Sequence, residues 1–280
     1  MKRMILTGIL ALAAGVSGLM AQQQQAQQQQ AQPKGPSAKS KAEGEALQAV
    51  FNSMNNPDAL IKGAEDVLAK FADTEFKDLL LFFEARAYQQ KNDPDKAQLF
   101  AERTLEVNPK YFQATLMMAE LLAQRTREND LDREEKLTRA DKYANDTIAM
   151  LKDMPKPNPT LSDEQWESAR KDLVAEAHNA IGLGALVRKK YDVAISEFKI
   201  AVEGTSQPEP AYQVRLASAL QSAGKNDEAI ALCEKIMADP QAHPQIRQVA
   251  QAVRAAAIKS GGKPTTPPAA PPTPPAEKKQ

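Results

Sequence analysis

Between residues 42 and 259 apolar side chains return every three to four positions, and no alternating run competes with them. A period near 3.6 marks helices that bury one stripe and wet the other. The boundaries are legible too. Asn56 before Pro57, and Asp93 before Pro94, each set a capping oxygen ahead of a proline suited to the first helical turn. Ser162 and Gln165 have capping-box spacing ahead of Trp166, which anchors the start of its helix. Asn108-Pro109 and Asp239-Pro240 close helices, because a residue before proline is pushed out of the helical region.

One phrase recurs in this pattern. It reads Gly182…Tyr191-Asp192-Val193-Ala194-Ile195…Phe198…Ala201 in its clearest form. It reads Ala85…Tyr88…Asp95-Lys96-Ala97…Ala101…Pro109 in a second place. A third copy is Ala217…Leu220…Gly224…Asp227-Glu228-Ala229-Ile230…Cys233…Ile236. Each copy has a small residue 12 positions before an Ala, and an Asp 2 positions before that Ala. A repeat of about 34 residues means stacked helical hairpins rather than a globular enzyme core. The period is not uniform. The key alanines, Ala97, Ala140, Ala194 and Ala229, are 43, 54 and 35 residues apart. Residues 125–139, heavily charged, lengthen one interval, either by extending the flanking helices or by protruding as a loop. Residues 153–161, with Pro155, Pro157 and Pro159, form a second insertion.

On these residues the region resembles the tetratricopeptide repeat family. Leu81, Ala85 and Tyr88 match that family's helix A slots, and Ala97, Ala101 and Pro109 its helix B slots. Gly182, Ala194, Phe198 and Ala201 match in another copy, as do Ala217, Leu220, Gly224, Ala229 and Cys233. A stretched copy carries Ala119 and Leu122, then Ala140, Ala144 and Thr147. The resemblance implies an all-α fold, an α-solenoid of antiparallel helical hairpins. Repeats are expected at about 78–111, 112–154, 175–207 and 210–243, inside a domain at 42–259, with caps at 43–72 and 244–259.

The resemblance also implies where binding occurs, since helix A residues on the inner curve of such proteins hold peptides. Carried over by register, that face holds Phe82, Phe83, Arg86 and Gln89, then Leu116, Met117 and Glu120. It continues through Asn179, Leu183 and Val187 to Val214, Arg215 and Ser218. The expectation is an apolar groove, bounded by Arg86, Glu120 and Arg215, for a partner helix or hydrophobic peptide. The alternative is that the chain's own first helix or the insertion at 125–139 fills it. The family's carboxylate-clamp variant uses Lys, Asn and Arg here. This face offers Arg86, Asn179 and Arg215 but no Lys.

Composition narrows the class. Lys+Arg and Asp+Glu are both 36, so the formal net charge is zero and no basic excess marks a nucleic-acid surface. One cysteine, Cys233, allows no internal disulfide, and with His178 and His243 as the two histidines no zinc set assembles. Cys233 falls at a packing position and reads as an inert thiol. His178 reads as a packing or surface residue. No phosphate loop, dinucleotide fingerprint or paired-histidine motif is present in the sequence. The chain is therefore read as no enzyme and as needing no cofactor.

The flanks differ from the middle. Lys2 and Arg3 precede an uncharged, mostly apolar run, and Ala21 offers a cleavage position, so residues 1–21 read as a secretory signal. An uncleaved anchor is the alternative, and the membrane enters as a partner in that case alone. No cysteine follows the run to carry a lipid. Residues 22–41 form a Gln/Ala-rich spacer, and 260–280 a Pro-rich tail, both expected to stay disordered. The whole reads as an exported protein of a bacterial periplasm or cell envelope, soluble after cleavage, that scaffolds a protein or peptide partner. The alternative is a self-associating spacer, a homo-oligomer without a client groove.

Overall fold

Helix signals in the sequence become hydrogen bonds in the structure, a computed structural model that describes residues 35–157, 160–240 and 242–264. The proposed signal segment, most of the Gln/Ala spacer and nearly all of the Pro-rich tail lie outside those residues. Among the described residues there are eleven α-helices and no strand. They are α1 (Lys41–Asn52), α2 (Pro57–Lys70), α3 (Lys77–Gln90), α4 (Pro94–Val107), α5 (Phe112–Arg125) and α6 (Arg133–Lys152). Then follow α7 (Asp163–Val187), α8 (Tyr191–Gly204), α9 (Pro210–Ser222), α10 (Asn226–Ala238) and α11 (Pro244–Lys259).

Asn56 Oδ1 accepts from Ala59 N, and Asp93 Oδ1 from Lys96 N, both at 3.1 Å. Ser162 and Gln165 close a reciprocal capping box at the head of α7, with bonds of 3.1 and 2.8 Å. These bonds satisfy amides that a helix cannot satisfy itself.

Odd-numbered helices are the A helices and even-numbered ones the B helices. Each hairpin packs A on B through small residues: Ala85, Ala97, Ala101, Ala140, Ala144, Ala194, Ala201, Ala217 and Ala229 are all buried. Gly182 is the tightest point. A β-carbon there would stand 2.6 Å from Phe198 Cε1, closer than atoms tolerate. The aromatic of helix B thus fills the notch that the small residue of helix A leaves.

The A helices α3, α7, α9 and α11 end alike. A residue at positive φ follows: Asn92 (54°), Lys189 (60°), Gly224 (76°) or Gly261 (94°). The next amide bonds back across the turn, as in Asp93 N to Tyr88 O at 2.9 Å, Lys190 N to Ala185 O at 2.9 Å, Lys225 N to Leu220 O at 2.9 Å and Gly262 N to Ala257 O at 3.0 Å. This is the Schellman closure of a helix. Because α11 closes like the others, it is a sixth A helix with no B helix among the described residues. Arg254 stands in its small-residue slot and forks onto Glu234 of α10 at 3.0 and 2.9 Å.

The Asp of the repeated phrase also acquires a role, shared by Asp58 in the first turn of α2. Lys91 pairs with Asp58. Arg125 meets Asp95 at 2.5 Å, Lys225 meets Asp192 at 3.4 Å, and the Lys263 amide meets Asp227 at 2.8 Å. Each acid lies in the first turn of a B helix, where the helix dipole favours it, and each donor follows or ends the next A helix. The staple repeats from hairpin to hairpin.

Two helices outrun the register. The charged insertion adds to the head of α6, which spans 20 residues, and leaves a short loop at 126–132 with Leu131 fully exposed. Helix α7 spans 25 residues and starts at Asp163, at the capping box that the sequence offered, well ahead of the expected start of the repeat at 175. Its residues 163–174 continue the A helix backward past the repeat.

Candidate concave binding face

Helix α5 packs directly on α7, and α9 on α11, whereas no pair of B helices packs comparably. The A side is the crowded side of the stack, so it forms the inside of the curve. The register places the candidate residues there, and the structure divides them by polarity.

The apolar members are interior. Phe82, Phe83, Leu116, Met117 and Val214 are each under 8% exposed. Phe82 packs on Tyr111 with ring centroids 5.0 Å apart. Phe83 meets Phe51, at the end of α1, edge to face at 6.0 Å. Leu183 and Val187 are half-buried. The expectation of an open apolar lining is therefore corrected. Helix α7 packs over α5 and α11 over α9, while Tyr111 covers Phe82 and Phe51 of α1 covers Phe83.

Polar members line the face instead. Arg86 is half-buried beside Tyr111, and burial lowers its pKa while the Tyr111 hydroxyl opposes the shift. It makes no ion pair among the described residues. Glu120 is half-buried, and burial, then the charge of Glu176 on α7, raises its carboxyl well above the ordinary range. Asn179 is buried and accepts from Arg215 Nη1 at 2.6 Å. Ser218 is half-buried and Gln89 is exposed at the rim. The structure thus brings together Glu120, Asn179 and Arg215 across three helices, and sets Arg86 apart beside Tyr111.

Three members went unread in the sequence: Tyr111, Glu176 and Tyr212. Glu176 stands 6 residues before Gly182, one turn ahead of Asn179, on the same face. That spacing was available as a signal. The two tyrosines sit at helix starts, where register alone does not assign a face. Burial raises the pKa of both hydroxyls, which stay protonated.

Outside the face, His178 and Cys233 are engaged within the fold. His178 Nδ1 lies 2.7 Å from Glu197 Oε2, tying α7 to α8. Cys233 is buried, and burial pushes its thiol up to about 11. Among the described residues no three metal-ligating side chains converge, and no helix is long and apolar enough to cross a membrane.

The fold is that of tetratricopeptide-repeat solenoids. It is similar to TTC0263, a thermophilic TPR protein of Thermus thermophilus, at 18% identity and a TM-score of 0.50, over 75% of this chain and 98% of that one. It also aligns with the assembly chaperone of RpL4 (Acl4), at 12% identity and a TM-score of 0.45, over 78% of this chain and 97% of that one. No family model and no curated protein matches the sequence.

Proposed function

We propose that this chain is an exported, non-catalytic scaffold of the cell envelope that holds a segment of a partner protein on its concave face. The observation that carries the reading is Arg86. Among the described residues no carboxylate pairs with this half-buried guanidinium, and a partner carboxylate is the group that completes it. Tyr111 supplies an aromatic wall next to it. The burial of Phe82, Phe83, Leu116 and Met117 changes the partner expected. Recognition runs through polar and charged groups, and the apolar residues set the shape of the groove from beneath.

The test is crosslinking in native envelopes, with recovery of partners by the wild-type chain and by Arg86→Glu. The variant places an acid where the partner's acid is proposed to sit, so its recovery of the partner should fall by at least tenfold while its helical circular dichroism persists. Equal recovery by both chains overturns the reading. Export rests on the charged start and the apolar run at 4–21. Fractionation with amino-terminal sequencing checks it, and an intact leader on a cytoplasmic chain sinks that part.

A further inference from the structure

Leu131 stands clear of the fold, whereas the other exposed large hydrophobic side chains among the described residues keep more than half of their surface covered. Its loop is braced. Arg133 N donates to Asp130 O at 3.1 Å, which puts Leu131 at the corner of a closed turn, and Asp130 N donates to Arg127 O at 3.2 Å. Arg133 Nη1 adds a bond to Glu128 O at 2.9 Å. A side chain held out on such a turn has little backbone freedom left to lose on contact. Acids flank it. Asp130 and Asp132 share one cation, Lys136, at 3.5 and 2.8 Å. Two carboxylates on one ammonium leave the tip with an excess of negative charge.

The other end of α6 offers the converse. A hollow of about 170 Å³ lies where α6 and α8 end beside α7. Leu151, Val174, Ala175, Ile200 and Gly204 give it apolar walls, and Ile200, 42% exposed, opens to solvent. A dry cavity of about 150 Å³ admits benzene, so this one takes a single leucine side chain. On its rim Arg170 is committed: it forks onto the Glu167 carboxylate at 2.9 and 2.7 Å and donates to Lys152 O at 2.9 Å. Lys152 and Lys171 remain, both exposed and neither in an ion pair among the described residues, and they give the rim an excess of positive charge. Glu167, Arg170, Lys171 and Val174 belong to the part of α7 that outruns the repeat. The helical period sets them on the face of α7 opposite Asn179 and Leu183, away from the concave side.

We propose that Leu131 of one copy of this chain enters the α6–α7–α8 hollow of a second copy, with Asp130 and Asp132 set against Lys152 and Lys171. Size, polarity and charge agree between the two surfaces. A chain cannot fill its own hollow, because the length of α6, roughly 30 Å at about 1.5 Å per residue, separates Leu131 from Leu151. The two surfaces differ, so the contact is heterologous. Each added copy leaves one knob and one hollow free, and association grows along a line or closes into a ring. One leucine and two exposed ion pairs make a contact well below the roughly 1,000 Å² of a lasting interface. The association is therefore weak, rises with concentration and falls with salt, which screens the exposed charges. The concave face stays open in the assembly, so partner binding and self-association do not compete.

The test is sedimentation velocity of the full chain, from micromolar to about millimolar concentration at low and high salt, the range in which so small a contact fills. The mean sedimentation coefficient should rise with concentration and fall back in salt. Leu131→Ser removes the knob and should abolish the rise. Gly204→Leu fills the hollow and should do the same. A β-carbon there meets that of Ala175 at 3.6 Å, an ordinary contact, so the fold accepts it. Ile200→Glu, at an exposed site, removes the hollow by a second route. All three should keep the helical circular dichroism of the wild type. Lys152→Glu with Lys171→Glu should weaken association by about tenfold, the scale of two exposed ion pairs. Mixing decides the matter. Leu131→Ser keeps a hollow and Ile200→Glu keeps a knob, so their mixture should form a one-to-one dimer and nothing larger. A wild type that stays monomeric at every concentration overturns the proposal, as does a Leu131→Ser chain that associates like the wild type, or a mixture that does not pair. A monomer whose Ile200 methyl resonance moves on addition of octanoate overturns it in favour of a free apolar acid.

Discussion

Gly182 shows how much one missing methyl group determines. Phe198 is fully buried, and its ring cannot swing away from a new β-carbon that would stand 2.6 Å from it. Gly182→Ala should destabilise the chain by about 1–3 kcal/mol, the usual range for overpacking, read as a shift in urea midpoint. Glu84 makes a different statement at the same scale. It is 1% exposed, its Oε2 has no hydrogen-bond partner among the described residues, and burial, then the charge of Glu65, pushes its carboxyl up to about 8 against the pull of Arg103. The fold keeps it neutral. Stability should therefore fall as pH rises from the ordinary glutamate range to about 8, by roughly 1.4 kcal/mol per unit at most. Glu84→Gln should remove that slope and be the more stable chain above pH 8, with urea midpoints across pH as the measurement. A parallel pair of curves refutes it. At this scale the sequence was half legible. Spacing identified Gly182, Ala194 and Phe198 as packing residues. Spacing did not separate Phe82, which the next helix covers, from Arg86, which it leaves half-open. Both lie on one face, and only the approach of α5 and Tyr111 decides between them.

Helices and turns were more legible than faces, because caps are local. Asn56, Asp93 and Ser162 bond the amides that their spacing assigned. The length of α6 was not legible, since its added turns are charged and carry no repeat phrase, whereas the Ser162 box marked the head of α7. The turn after α3, α7, α9 and α11 links chain chemistry to hairpin geometry. The same left-handed position is filled by Asn92, Lys189, Gly224 and Gly261. Nothing crowds a β-carbon at Gly224, so Gly224→Ala isolates the backbone term. It should cost about 1–2 kcal/mol, the steric penalty of that conformation. Lys189→Gly at the equivalent turn should cost nothing net. It relieves the same strain and loses only an ion pair with Glu128, both of whose side chains are more than half exposed. Thermal midpoints of the two variants should move apart, and equal losses in both would show that the turns are not equivalent.

A stack of hairpins behaves as a line, in which each unit touches its neighbours and no distant part. Among the described residues the line ends at α11, an A helix without its B helix there, and Cys233 lies beneath it, in a small cluster with Val214, Ala217, Ile236 and Ala250. Only α9, α10 and α11 enclose that cluster, so the terminal hairpin has one neighbour to lean on. Trp166, the single tryptophan, lies near the head of α7, in the middle of the chain. The molecule therefore contains two native probes at different depths in the stack. Local opening of an end unit should precede loss of the middle. In rising urea, labelling of Cys233 by a thiol reagent should set in at lower concentration than the change in Trp166 fluorescence. Arg254→Ala removes the fork to Glu234 that pins α11 on α10, and it should widen that gap by moving the labelling curve alone. Coincident curves in both chains would mean that the six A helices unfold as one cooperative body, with coupling between hairpins stronger than the end unit's own deficit.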